Sequence, residues 1–174
     1  MNLFKLLAPL PLGAAPDSGV SHLRPGDERA AEPASQVRRD TVSQLSADDR
    51  LAIREIIATY CHALDLGRWE EFVDLFSDDC RLDFGSLMGV YEGREGVRRF
   101  GERIQGLGLF MRHYTTNVVV RGDGERARAE CYVLAVTGPP GASMQTTGRY
   151  EDEFVKVNGR WRLRVRRALL DQPA

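Results

Sequence analysis

Cysteine is scarce in this 174-residue chain: Cys61, Cys80 and Cys131 are odd in number and widely spaced, with no CxxC pair and no Cys/His cluster of ligand spacing. That argues against a disulfide framework or a zinc site and suits a reducing, cytoplasmic setting with the thiols as small core residues. Long apolar runs are missing too; none approaches the ~20 residues of a membrane-spanning helix. The net charge is only −1, so no global field draws the chain to nucleic acid or an anionic membrane. There is no phosphate loop, dinucleotide fingerprint or Ser/His/Asp motif, and Gly93-Arg94-Glu95-Gly96 reads as a helix start. The expectation is a protein without cofactor or metal. No internal repeat is visible.

What is present falls into two parts. Residues 1–45 carry Pro, Gly, Ala, Ser and charges without periodicity, and such a stretch buries too little surface to offset its ordering entropy. Lys5 before an apolar run and Gly13-Ala14-Ala15 have the outline of a secretory leader, but Pro9 and Pro11 interrupt the run, and a flexible extension is the simpler reading. His22 falls there. Residues 46–174 read as one domain.

In that domain Ser46 and Asp49 form a capping-box variant. Leu51, Ile53, Ile56, Ile57, Tyr60 and Leu64 then mark the buried stripe of a helix that ends at Asp65 before Gly67. Trp69, Phe72, Val73 and Phe76 predict a second helix closed by Ser77-Asp78-Asp79. Cys80, Leu82 and Phe84 alternate with polar residues as a strand, Gly85-Ser86 turns, and a third helix runs over 94–105. After Gly108 the period becomes two. Strands are predicted over 113–120, 127–135, 145–157 and 160–168, with a turn at Gly122-Asp123-Gly124, a loop at Gly138-Pro139-Pro140-Gly141 and a hairpin turn at Asn158-Gly159. The second of these strands carries small residues on one face, which leaves room beside the sheet. In the last, Trp161, Leu163 and Val165 face away from Arg160, Arg162, Arg164 and Arg166. Helices grouped ahead of antiparallel strands argue for an α+β layer fold. A curved sheet around them would make a cone with an open end.

Asp65 and His113 stand out within this frame, 48 residues apart. A carboxylate that orients an imidazole is the minimum equipment for proton transfer near neutral pH. The plain alternative is a sheet histidine and a helix-end cap. Tyr60 could donate to an oxygen or simply pack in the core; five helical residues place it about 140° from Asp65. Phe84, Tyr91, Tyr114 and Tyr132 are candidates to line a flat apolar ligand. Asn117 lies two pleats from His113 and so on the same face. Arg166 belongs either to a solvated face or to an anion clamp.

The segments DRLAIREIIATYCHALDLGRWEEFVDLFSDDCRLDFG, YEGREGVRRF, RHYTTNVVV and GRYEDEFVKVNGRWRLRVRR resemble the SnoaL-like branch of the nuclear-transport-factor-2-like superfamily, over about residues 46–171. Scytalone dehydratase, bile-acid 7α-dehydratase, ketosteroid isomerase and polyketide cyclases belong to that superfamily. The resemblance implies a cone-shaped α+β barrel, a curved antiparallel sheet enclosing a pocket against three helices. It also implies an Asp–His pair at Asp65 and His113, a Tyr matching the bile-acid enzyme at Tyr60, and a pocket arginine from the last strand at Arg166. The expected function is a cofactor-independent dehydratase, cyclase or isomerase acting on a hydrophobic polycyclic, aromatic or polyketide-like molecule. His113, Asp65 and Tyr60 would be catalytic, and Phe84, Asn117, Tyr132 and Arg166 would bind substrate. The alternatives are a non-catalytic binding or assembly module, or the small subunit of a ring-hydroxylating dioxygenase. By analogy with the family, a homodimer or other homo-oligomer is expected.

Overall fold

The computed structural model describes residues 44–139 and 144–171. The N-terminal extension, with His22 and the leader-like segment, lies outside them apart from its last two residues, as do Pro140 and Gly141 of the proline-rich loop. The order is α1 (Ala47–Asp65), α2 (Trp69–Asp74), β1 (Phe76–Asp83), α3 (Gly85–Met88), β2 (Val90–Glu92), α4 (Gly93–Gly106), β3 (Phe110–Gly122), β4 (Arg126–Gly138), β5 (Met144–Val157) and β6 (Arg160–Leu170). One six-stranded sheet runs β2-β1-β6-β5-β4-β3 and does not close, so β2 and β3 are its edges. Its pairs are antiparallel except β1–β6, which is parallel. None of the described helices is long and apolar enough to cross a membrane.

Sequence and structure differ at two helix boundaries. Phe76 was expected in the second helix; α2 ends at Asp74, and Phe76 opens β1 by pairing with Leu163. A ladder partner on β6 outweighs the local helical spacing. The turn expected at Gly85-Ser86 is the four-residue α3, so four helices precede the long strands rather than three.

The N-terminus of α1 is tied down as its capping pattern requires. Ser46 Oγ accepts from the Asp49 backbone N–H at 3.0 Å. The Asp49 carboxylate in turn accepts from Lys156 Nζ and Trp161 Nε1, both at 2.7 Å, which fastens α1 to the β5–β6 hairpin. That hairpin turns through Asn158 (φ 50°) and Gly159 (φ 75°), both left-handed as a two-residue turn of this hand needs.

The core lies between the helices and the inner sheet face. Tyr60, Phe72, Phe76, Phe100 and Tyr150 form a cluster of rings, with Phe72 at 4.9 Å from Tyr60 and 5.4 Å from Phe76 between centroids. Ala127, Ala129, Cys131 and Val133 supply the small inner face of β4, in the predicted alternation. The three cysteines are buried and free, and burial pushes the Cys80 and Cys131 thiols up to about 11.

Gly148 is held by close approach. A Cβ there would lie 2.5 Å from the Leu169 carbonyl oxygen and 2.8 Å from Leu170 Cα, both backbone atoms of the neighbouring strand. Gly148→Ala should therefore lower stability by about 1–3 kcal/mol, read by urea unfolding. Hydrogen bonds from Lys156, Trp161 and Ser46 hold the Asp49 carboxyl well below its ordinary 3.8. A depressed folded pKa stabilises above the unfolded value and is lost as pH falls through it. Thermal unfolding of Asp49→Asn should thus show a lower Tm at neutral pH and a flatter decline than wild type below about pH 4.

Candidate active site at the α1–β3 junction

The site begins with how α1 stops. Gly67 takes φ +66°, its N–H bonds the Leu64 carbonyl at 3.3 Å, and the Arg68 N–H bonds the Ala63 carbonyl at 2.8 Å. This is a Schellman ending, which only a residue tolerant of the left-handed region makes cheaply. It leaves Asp65 as the last residue of α1, beside the first turn-free stretch of β3.

β3 is an edge strand, so its outer backbone groups have no neighbouring strand among the described residues. Side chains of α1 take them up at three points. Arg50 Nη1 donates to the Val120 carbonyl and Arg54 Nη2 to the Val118 carbonyl, both at 2.6 Å. The His113 backbone N–H donates to Asp65 Oδ2 at 2.8 Å. The same carboxylate reaches the ring: Asp65 Oδ1 lies 2.5 Å from His113 Nδ1. Both side chains are shielded, at 10% exposure for His113 and 7% for Asp65. A carboxylate facing Nδ1 keeps the ring proton there and leaves Nε2 with the lone pair. Nε2 has no hydrogen-bond partner among the described residues.

A second polar group lies deeper. Arg166 is fully buried, with Nε donating to Asp152 Oδ1 at 2.8 Å and Nη2 to Asp152 Oδ2 at 2.6 Å. Its guanidinium carbon sits 3.9 Å from the Tyr60 ring centroid and 4.3 Å from that of Tyr150, between two aromatic faces. Burial alone would lower the Arg166 pKa, but the Asp152 charge, its hydrogen bonds and the two tyrosines together outweigh it and keep the guanidinium ionised. Burial drives the Tyr60 hydroxyl upward, so it stays a proton donor. Two polar atoms in this group are buried without a partner among the described residues, Arg166 Nη1 and the Tyr60 hydroxyl. Cys61 stands between the two groups: burial raises its thiol pKa, Arg166 lowers it and Asp65 raises it.

The structure thus brings Asp65 to His113 and Tyr60 to Arg166. It separates the other named residues. Asn117 is exposed and sits at φ 56° in a bulge between Thr116 and Val119, so the parity that would place it beside His113 breaks there. Tyr132 is 58% exposed on the outer face, because its neighbours Cys131 and Val133 take the inner one. Neither can line an inner pocket. Phe84 is half-buried and stacks on Phe100 at 5.0 Å. Arg166 is on the face opposite to that expected: Phe154 pairs with Leu163 but Glu153 with Val165, so the extra residue Arg164 bulges and turns Arg166 inward with Trp161 and Leu163. Asp152 and Tyr150 escaped sequence reasoning, although they share the inward phase of β5 with Phe154. A carboxylate at an apolar phase of a strand was the available signal.

The chain matches the family described as the SnoaL-like domain over residues 45–167. The chain belongs to that family. An uncharacterised Mycobacterium bovis protein, Mb2934c, is 26% identical over 128 residues, covering 72% of this chain and 87% of its own length. A solved structure from Novosphingobium aromaticivorans, a candidate scytalone dehydratase, superposes with TM-score 0.64 at 24% identity over 72% of this chain and 85% of the other. A type 2 hexachlorocyclohexane dehydrochlorinase, LinA, does so with TM-score 0.66 at 17% identity over 72% and 86%. At these identities the two structures share the fold of this SnoaL-like chain, and the fold's neighbours include enzymes.

The buried ion pair makes a sharp stability test. Asp152→Ala strands an uncompensated guanidinium and should cost about 3–5 kcal/mol in denaturant unfolding, whereas Asp152→Ala with Arg166→Met should recover most of that loss.

Proposed function

We propose that this protein is a cofactor-independent lyase or isomerase, of the dehydratase or cyclase kind, that works by proton transfer through His113. The observation that carries the reading is the double grip of Asp65 on the backbone and ring of His113. With its proton fixed on Nδ1, the imidazole is a base at Nε2. It would take a proton from carbon beside a carbonyl, Asp65 would stabilise the resulting imidazolium, and the same proton would then be delivered to a departing hydroxyl or to another carbon. Tyr60, kept protonated by burial and lacking a partner, is the donor available to a developing oxyanion. The sheet end at which β3 begins has exposed Phe110, Leu107, Leu109 and Met144, with Phe110 opposite Gly138 and Met144 opposite Thr137. An apolar rim three residues from His113 favours a hydrophobic substrate. Family membership and fold neighbours that include a candidate dehydratase and a dehydrochlorinase support elimination chemistry.

The test is a panel of polycyclic and aromatic β-hydroxyketones followed by absorbance of the conjugated product. Wild type should convert at least one. His113→Ala, with unchanged circular dichroism, should lose about a thousandfold or more in kcat, and Asp65→Asn about a hundredfold. Turnover that survives intact in His113→Ala would refute the proposal.

A further inference from the structure

The outer face of the sheet, opposite the His113 side, is not flat. A cleft of about 730 Å³ is lined from β1, β3, β4, β5 and β6, and a second of about 660 Å³ shares Asp79 and Val157 with it, so the two form one trough. His113, Asp65 and Tyr60 line neither. Seven arginines and four acidic residues line the trough, a local positive excess in a chain whose net charge is −1.

Four of those arginines are occupied: Arg94 and Arg162 by Asp74, Arg164 by Asp79 and Glu153, and Arg128 by Glu153 at 3.6 Å. Arg121, Arg126 and Arg160 are exposed and have no ion-pair partner among the described residues. Arg121 faces Arg128 directly across the β3–β4 pair, and Arg126 is its diagonal neighbour on the same face. Like charges in such positions repel, so the strand pairing carries this cluster at a cost that a bound anion would relieve. Glu130 is the other diagonal neighbour of Arg121, and no ion pair joins them. Beside the arginines is apolar surface. Val155 lies opposite Arg126 and Val157 opposite Arg160, and Val157 is 42% exposed.

We propose that this trough binds a free organic anion with an apolar tail, a phosphate monoester or long-chain carboxylate, its head held between Arg121 and Arg126 and its tail along Val155 and Val157. Two guanidiniums within reach of one head give the charge-assisted, forked hydrogen bonds that suit phosphate and carboxylate oxygens. The concavity selects a single molecule over a membrane, because a planar bilayer cannot follow a surface recessed across five strands.

Octyl phosphate titrated calorimetrically into the full chain is the probe. Saturable binding of one molecule per chain is expected, with the methyl resonances of Val155 and Val157 shifting while that of buried Val133 does not. Arg121→Gln and Arg126→Gln should each weaken binding about tenfold. Raising salt from about 50 to about 300 mM should weaken it further, and octyl glucoside should give no saturable heat. His113→Ala should bind as wild type does, which separates this site from the proposed catalytic one. Unchanged affinity in both arginine variants, binding only to anionic vesicles, or a stable dimer that shuts the probe out would each overturn the proposal.

Discussion

One carboxylate joins the helical half of this protein to its sheet and sets the chemistry of the junction. Asp65 spends one oxygen on the His113 backbone N–H and the other on the ring. The first contact satisfies an edge strand that has no further neighbour. The second orients an imidazole. Because both come from one rigid group, the contact that holds Oδ2 on the strand also fixes Oδ1 where it meets the ring nitrogen, so orientation is built into the packing of α1 on β3. Arg50 and Arg54 repeat the structural half of that arrangement at the other end of β3, and the three contacts together cover an edge that would otherwise invite pairing with another chain.

The second polar group follows a different logic. The Arg166–Asp152 pair is fully enclosed, forked and stacked between two tyrosines, so its desolvation is offset by geometry rather than by water. Yet one nitrogen and one hydroxyl there have no partner among the described residues.

Much of this was legible in the amino-acid order. The Ser46–Asp49 cap, the stop at Gly67, the turn at Asn158-Gly159 and the inward phase of β4 each follow from local chemistry, and each is where it was expected. The meeting of Asp65 with His113 was expected from the family resemblance; the sequence marks the end of α1 at Gly67, but β3 begins at Phe110, three residues before its expected start. What escaped depends on bulges. Asn117 and Arg166 were assigned by strict alternation, but Asn117 sits in the β3 bulge itself, and in β6 the extra residue Arg164 shifts the phase before Arg166 is reached. Asn tolerates a positive φ, so Asn117 could have hinted at its own bulge; nothing in the run Arg160–Arg167 marks Arg164 as the odd residue. Phe76 was lost to a helix because its strand partner, Leu163, is remote in sequence.

The bulge at Arg164 also limits how this gene can change length. A strand has a phase, much as a coding sequence has a reading frame. Deleting a single residue at the bulge would restore even alternation with Arg166 still inward, since Val165 alone would then separate it from Leu163, whereas evening out the strand at its full length would carry Arg166 out to solvent and swing Arg167 toward the aromatic cage. Loss of one residue should therefore be cheapest between Leu163 and Arg166, whereas a loss between Trp161 and Leu163, or between Arg166 and Ala168, would throw an inward side chain onto the outer face.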